Sequence, residues 1–266
     1  MKVIVCVKQV PDTSGKVAVN DDGTLNRASM ETITNPDDMN AVEAALKLKD
    51  ETGCKVIVVT MGPPPAEGML RELIAMGADE GYLISGREFG GSDTYATSQI
   101  VAAGINKIGI EKGDIVMCGR QAIDGDTAQV GPQIAEKLGL PQVTYAADIH
   151  KDGDNITVKR MLEDGYMTIK VQTPCLLTCI KELNEPRYMS VGGIFEAYSK
   201  PVTVLDYEAL KDDPLIDATT IGLKGSPTNI LVSFTPPQKG AGMMLEGADM
   251  AACEELAGIL AKKHII

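Results

Sequence analysis

The chain is 266 residues long, 44% hydrophobic and 23% charged, enough apolar material for one large α/β domain or two small ones. A formal net charge of −12 argues against nucleic acid as a main partner, since phosphate backbones are bound by an excess of Lys and Arg. With two histidines and no tryptophan, a His-based triad or His-rich metal site has almost no raw material, so any chemistry is expected to belong to a cofactor.

No apolar run reaches the length of a membrane span, and MKVIVCVKQV enters a strand directly in place of a signal-peptide core. A cytoplasmic chain without membrane insertion is the expectation. The six cysteines, Cys6, Cys54, Cys118, Cys175, Cys179 and Cys253, form no C-x-x-C and have no histidine cluster beside them, so no zinc or iron–sulfur site is predicted.

Lys2 to Val10 is a β-branched apolar run that predicts the first buried strand of a parallel sheet. Pro11 to Ser29 is polar, with Asp21-Asp22-Gly23 as a turn signal, and predicts a hairpin or loop. Asn35-Pro36 supplies an N-cap and a first-position proline for a helix to about Asp50, with Asp37 and Asp38 where the helix dipole favours anions. Lys55 to Met61 predicts the second strand, and Pro63, Pro64 and Pro65 stop it. A helix from about Ala66 to Gly77 and a strand over Ala78 to Ser85 follow.

Gly90 and Gly91 allow close backbone approach, and Ser92 to Thr94 cap the next helix where a phosphate could sit. Asp114 to Cys118 predicts the fourth strand, which runs into the polar turn Gly119 to Gln129 and then a helix. Pro132 leaves the start of that helix open, near Thr127 or after Gly131. A strand, a polar glycine-containing turn and a helix offer free N–H groups to a nucleotide phosphate, although the spacing matches neither the dinucleotide fingerprint nor the P-loop. The alternation so far predicts an α/β fold: a mostly parallel sheet with helices on both faces.

Beyond Pro141 the rhythm breaks. Asn155 to Arg160 and Tyr166 to Gln172 alternate apolar and polar residues around Asp164-Gly165, which predicts an antiparallel hairpin. Pro174 to Ile180 predicts another buried strand, with Cys175 and Cys179 on one face. From Asn184 the chain reads as loop-rich until a last amphipathic helix from about Ala248 to Lys262. One α/β domain over 1–235 and a C-terminal arm over 236–266, packing on another chain, are expected.

These motifs, taken together, resemble the beta subunit of electron transfer flavoproteins along nearly the whole chain. The resemblance is carried by VCVKQVPD at Val5 to Asp12, NPDD at Asn35 to Asp38, AMGAD at Ala75 to Asp79, GRQAIDGDTAQ at Gly119 to Gln129, LNEPRY at Leu183 to Tyr188 and PPQKGAG at Pro236 to Gly242. The segment Lys159 to Thr178 is similar to the family signature, departing from it at Met167 or Thr168, where the family prefers Glu or Gln.

The resemblance implies a heterodimer with an alpha subunit that carries an FAD. Ordinary members hold a structural AMP in the beta subunit. Bifurcating members hold a second FAD there, oxidise NADH, and divide its electrons between ferredoxin or flavodoxin and, through the alpha-subunit flavin, an acyl-CoA or related dehydrogenase. The loop Arg87 to Ser98 is similar to the nicotinamide segment of bifurcating members.

Carried over by position, the nucleotide and flavin site would comprise Cys6, Val7, Lys8, Gln9, Asn35, Asp37, Asp38, Met61, Cys118, Gly119, Arg120, Gln121, Ala122, Gly125, Asp126, Thr127, Gln129 and Val130. Backbone donors near Gln9, Arg120 or Thr127 would stabilise reduced flavin. Phe89, Gly90, Gly91, Ser92, Asp93 and Thr94 would meet NADH, and Arg187, Tyr188, Val191, Gly192 and Ile194 would dock on the dehydrogenase, with Val191 as anchor. Two other classes compete: a nucleotide-binding regulatory module with no flavin, and an ATP-hydrolysing adenylating enzyme using Gly90 to Thr94.

Overall fold

The structure, a computed structural model, describes residues 1–12, 31–228 and 240–266. These fall into two units, 1–12 with 31–228 and, separately, 240–266. The first unit is built on a nine-stranded sheet of order β11-β5-β4-β1-β6-β10-β7-β8-β9. Its strands are β1 (Lys2–Cys6), β4 (Lys55–Met61), β5 (Glu80–Ile84), β6 (Ile115–Gly119), β7 (Gln142–Asp152), β8 (Asn155–Leu162), β9 (Gly165–Gln172), β10 (Cys175–Cys179) and β11 (Val202–Leu205). All pairs from β11 to β7 are parallel, and β7-β8-β9 continue as an antiparallel meander. A separate antiparallel pair joins β2 (Gln9–Pro11) to β3 (Thr32–Thr34).

Helices cover both faces, as the alternation requires. Alternate residues of β1 divide the core: Val3 and Val5 pack with α1 (Pro36–Thr52) and α2 (Glu67–Met76), while Ile4 packs with α3 (Thr94–Ile108) and α4 (Val130–Leu138). The central strands are buried on both sides, which is why they read as continuous apolar runs. Short helices α5 (Val191–Glu196), α6 (Tyr207–Leu210) and α7 (Gly222–Gly225) punctuate the chain after β10.

Several expectations are corrected. The run Lys2 to Val10 is not one strand: β1 stops at Cys6, and Gln9 begins β2. The eleven-residue β7 was not foreseen, because its burial alternates weakly and its register shifts between Ala146 and Asp148. The hairpin is therefore not an appendage; β7 pairs with β10 and extends the main sheet. The segment around Val202, read as loop, is the edge strand β11 beside β5. Helix α4 starts at Val130, so Pro132 is its third residue, still inside the first turn where the missing N–H costs no bond.

In the second unit, α8 (Met250–Lys262) is capped by Asp249, whose carboxylate accepts from Ala252 N at 3.0 Å. The expected turn at Asp21 to Gly23, most of the motif Pro236 to Gly242 and the boundary at residue 235 lie outside the described residues. Among the described residues no helix is long and apolar enough to cross a membrane.

Candidate functional site

In an open α/β sheet the loops at the carboxyl ends of the strands form the ligand crevice. Here the ends of β1 and β6 are drawn onto the N-terminus of α1. Asn35 does not cap that helix with its side chain; its amide reaches sideways instead. Asn35 Nδ2 donates to the Gln121 carbonyl at 2.8 Å, and its Oδ1 accepts from Ile123 N at 3.0 Å. Asp38, only 6% exposed, accepts from Lys8 N through Oδ2 and from Gly119 N through Oδ1, both at 2.8 Å. Burial pushes its carboxyl up to about 7, against the pull of those donors and of Asn35.

Asn35 and Asp38 were expected to touch the nucleotide. Their polar atoms are spent on the chain itself, holding the residues that follow β1 and β6. Asp37 is different. Its Oδ2 lies 3.4 Å from Arg120 Nε as an ion pair, yet neither buried atom has a hydrogen-bond partner among the described residues. The backbone N–H of Arg120 donates to the Cys179 carbonyl at 2.8 Å, which ties the start of the turn to β10.

The turn from Gln121 to Gln129 is exposed over Asp124 to Thr127. Asp126 and Ala128 adopt left-handed conformations (φ 49° and 51°), a cost that non-glycine residues carry mainly at functional turns. Such alternating backbone turns successive N–H groups toward one concavity. Helix α4 begins without a side-chain cap, so its first donors are open to an anion. Lys8 Nζ sits 2.8 Å from Asp124 at the rim. The uncapped donors and the Arg120 guanidinium, with its unsatisfied Nε, fit a phosphate-bearing nucleotide, while the Asp37 carboxylate beside it can only accept.

A cavity of about 620 Å³ opens at the ends of β4 and β5, across β1 from the strand that leads into this turn, lined by Met61 to Pro64 and by Ile84 to Ser92 except Glu88. It contains Met61 and most of the expected NADH residues. The side chains behave less uniformly than expected. Phe89 is a core residue packed near Tyr207, with ring centroids 6.4 Å apart. Asp93 caps α3 by accepting from Ala96 N at 3.0 Å and also accepts from Thr228 N at 2.9 Å. Ser92 donates to the Phe89 carbonyl and accepts from Gly222 N. Thr94 Oγ1 meets Gln129 Oε1 at 3.1 Å, joining this loop to the nucleotide turn. Arg87, exposed at the cavity and absent from the expected set, was detectable as the cation opening its motif.

The expected docking residues lie together beyond β10, but with two roles. Arg187 is anchored, its guanidinium on Glu43 at 2.9 and 3.1 Å and on Asp50 at 2.7 Å, and the two carboxylates hold its pKa above the ordinary value. Tyr188 (96% exposed), Val191 (73%), Ile194 (48%), Phe195 (82%) and Tyr198 (79%) present an apolar surface around α5. Gly192 sits within α5 with nothing within 4 Å of the space its side chain would fill. Phe195 and Tyr198 were missed; two aromatic residues four and seven positions after Val191, in a segment read as loop, were the available signal.

A doubly wound sheet with a donor-rich turn and a cavity at its strand ends defines an α/β protein of the kind that receives ligands at the carboxyl ends of its strands. The family profile described as "Electron transfer flavoprotein domain" matches residues 22–210. The chain is 71% identical over 267 residues to "Acryloyl-CoA reductase electron transfer subunit gamma" of Anaerotignum propionicum, covering 100% of both chains. It is 54% identical to "Caffeyl-CoA reductase-Etf complex subunit CarD" of Acetobacterium woodii and 50% identical to "Electron transfer flavoprotein subunit beta" of Clostridium acetobutylicum, again over 100% of each chain. The chain belongs to the electron transfer flavoprotein family, as a beta-type subunit.

Proposed function

We propose that this beta subunit pairs with an alpha subunit, binds FAD at the crevice between β1, α1 and the turn after β6, takes NADH in the cavity at the ends of β4 and β5, and bifurcates electrons between ferredoxin or flavodoxin and an acyl-CoA-type dehydrogenase. The observation that carries the reading is the cavity of about 620 Å³ formed by the Arg87 to Ser92 loop, tied to the nucleotide turn through Thr94 and Gln129. The relatives named for acryloyl-CoA and caffeyl-CoA reductases support a partner acting on a CoA thioester.

When bound, a flavin supplies hydride acceptance and one-electron transfer. The chain's own residues then bind and orient. Arg87 offers a cation to the dinucleotide's phosphates at the cavity, while Gly91, whose Cβ would meet Leu223 at 2.9 Å, lets the loop fold against the protein there. Arg120 and the first donors of α4 face the other phosphate site. The exposed surface of Tyr188, Val191, Ile194, Phe195 and Tyr198 suits a transient contact with the dehydrogenase, and the arm at 240–266 suits the alpha subunit.

Flavin content of the co-expressed heterodimer, followed by anaerobic titration with NADH, tests the reading. A second FAD besides that of the alpha subunit, with direct bleaching by NADH, is expected. AMP in its place, with no response to NADH, would sink bifurcation and leave a simple electron carrier.

A further inference from the structure

Asp38 joins segments that are distant in sequence. It stands at the third residue of α1 and bonds the backbone on both sides: Lys8 N, 30 residues before it, and Gly119 N, 81 residues after it. Lys8 leads into the β2 turn, and Gly119 opens the nucleotide turn that Asn35 also grips through Gln121 and Ile123. Both oxygens of the carboxylate are used as acceptors. The ionised group accepts at full strength at both oxygens, whereas a proton on either makes that oxygen a hydroxyl, a poorer acceptor that must turn its O–H away from the N–H it faces, so one of the two bonds weakens.

The charged and titratable surroundings distinguish Asp38 by its two backbone bonds. On α1 its neighbour Asp37 is also pushed up by burial, opposed by its pairing with Arg120 after β6 and acted on by Glu182 and Lys181 after β10, but it spans no two strand ends. Lys8 turns its ammonium to Asp124. Cys6 on β1, Cys118 on β6 and Cys179 on β10 are thiols pushed up by burial, Cys6 to about 12, so they stay uncharged. Burial likewise lifts Asp38 to about 7, where a cell's pH divides its two forms.

We infer that Asp38 is a proton-linked positioning residue: its ionised carboxylate clasps the ends of β1 and β6 in the geometry that receives the nucleotide, and protonation loosens one of the two and weakens binding. This rests on the nucleotide site proposed above. It also separates Asp38 from a merely structural carboxylate. A group whose folded pKa is raised makes the fold less stable as pH rises, whereas here ligand affinity must rise over the same interval.

The test uses the heterodimer with its beta-site ligand removed and FAD as the probe, since FAD has no group that titrates near neutrality. Affinity is read from pH 5.5 to 8.5. The expected result is a gain approaching about tenfold per pH unit below the midpoint, levelling above it, with Asp38→Asn flat and fixed near the weak limit. A flat wild-type profile would overturn the inference, as would an equal slope in wild type and variant. If Asp38→Asn does not assemble, the carboxyl stretching band of aspartate-labelled wild type decides, because its midpoint must coincide with that of binding. FAD that fails to bind at any pH would remove the nucleotide site itself, a separate outcome.

Discussion

Thr94 Oγ1 donates to Gln129 Oε1 at 3.1 Å, so side chains 35 residues apart stitch the loop after β5 to the turn after β6. A bond of this kind near the surface contributes about 0.5–1.5 kcal/mol to stability, too little to govern folding. Its weight falls on the relative placement of two ligand spaces. Thr94→Val is expected to change the unfolding free energy by no more than about 1 kcal/mol and to slow reduction of the heterodimer by NADH several-fold. Stopped-flow reduction at wild-type speed would detach this bond from the proposed function.

Arg187 and Val191 are near neighbours in sequence and are expected to fail differently. Glu43 is 3% exposed and depends on Arg187 for charge and hydrogen bonds. Arg187→Met leaves that carboxylate only the backbone N–H of residue 187 and should cost about 3 kcal/mol, the low end for a broken buried pair because that bond stays and Arg187 itself is partly exposed. Val191→Ala and Phe195→Ala should stay within about 0.5 kcal/mol of wild type in denaturant melts while slowing electron delivery to the dehydrogenase. Loss of stability in Phe195→Ala would show that its ring is packed, contrary to its exposure.

Two glycines in the nucleotide turn make a matched pair. A Cβ on Gly119 would lie 2.6 Å from Asp37 C and Asp38 N, backbone atoms of α1 that cannot swing aside. At Gly125 nothing lies within 4 Å of the same atom. Gly119→Ala is therefore expected to cost about 3 kcal/mol or more and to lower soluble yield, with Gly125→Ala close to neutral. Equal melting temperatures for the two would contradict the close approach of β6 and α1.

Much of this architecture was legible in the chain. The buried strands β4, β6 and β10 announce themselves because both faces are covered, so every residue after the exposed Lys55 that opens β4 is apolar or small. β11 did not, since it borrows its place from a remote partner, β5, more than a hundred residues earlier, and β7 did not, since its apolar alternation is weak and its register shifts between Ala146 and Asp148. The site behaved similarly. Motifs located the turn at Gly119 to Gln129 and the loop at Arg87 to Thr94, but they could not say which side chains face a ligand. Asp38, Ser92 and Asp93 have polar atoms suited to a ligand and spend them on backbone donors or carbonyls. That allocation depends on distances between segments, which no local pattern encodes.

Asp38 also sets a sign for the pH dependence of stability. Its folded pKa is raised to about 7 by burial, so between about pH 4 and 7 the folded chain keeps a proton that the unfolded chain has released. Stability contributed at this position is thus fullest below about pH 4 and declines as pH rises toward 7. The melting-temperature difference between wild type and Asp38→Asn should shrink or reverse along that interval and level off above it. A difference independent of pH would show that Asp38 titrates normally.

The sheet order has a temporal consequence. β10 is seated between β6 and β7, although β7 is synthesised first. The meander β7-β8-β9 can close on itself through neighbouring pairings as it leaves the ribosome, but it has no attachment to the parallel strands until β10 arrives as the wedge between them. For that interval a nascent chain carries two growing halves, and Cys175 to Cys179 is the segment that turns them into one.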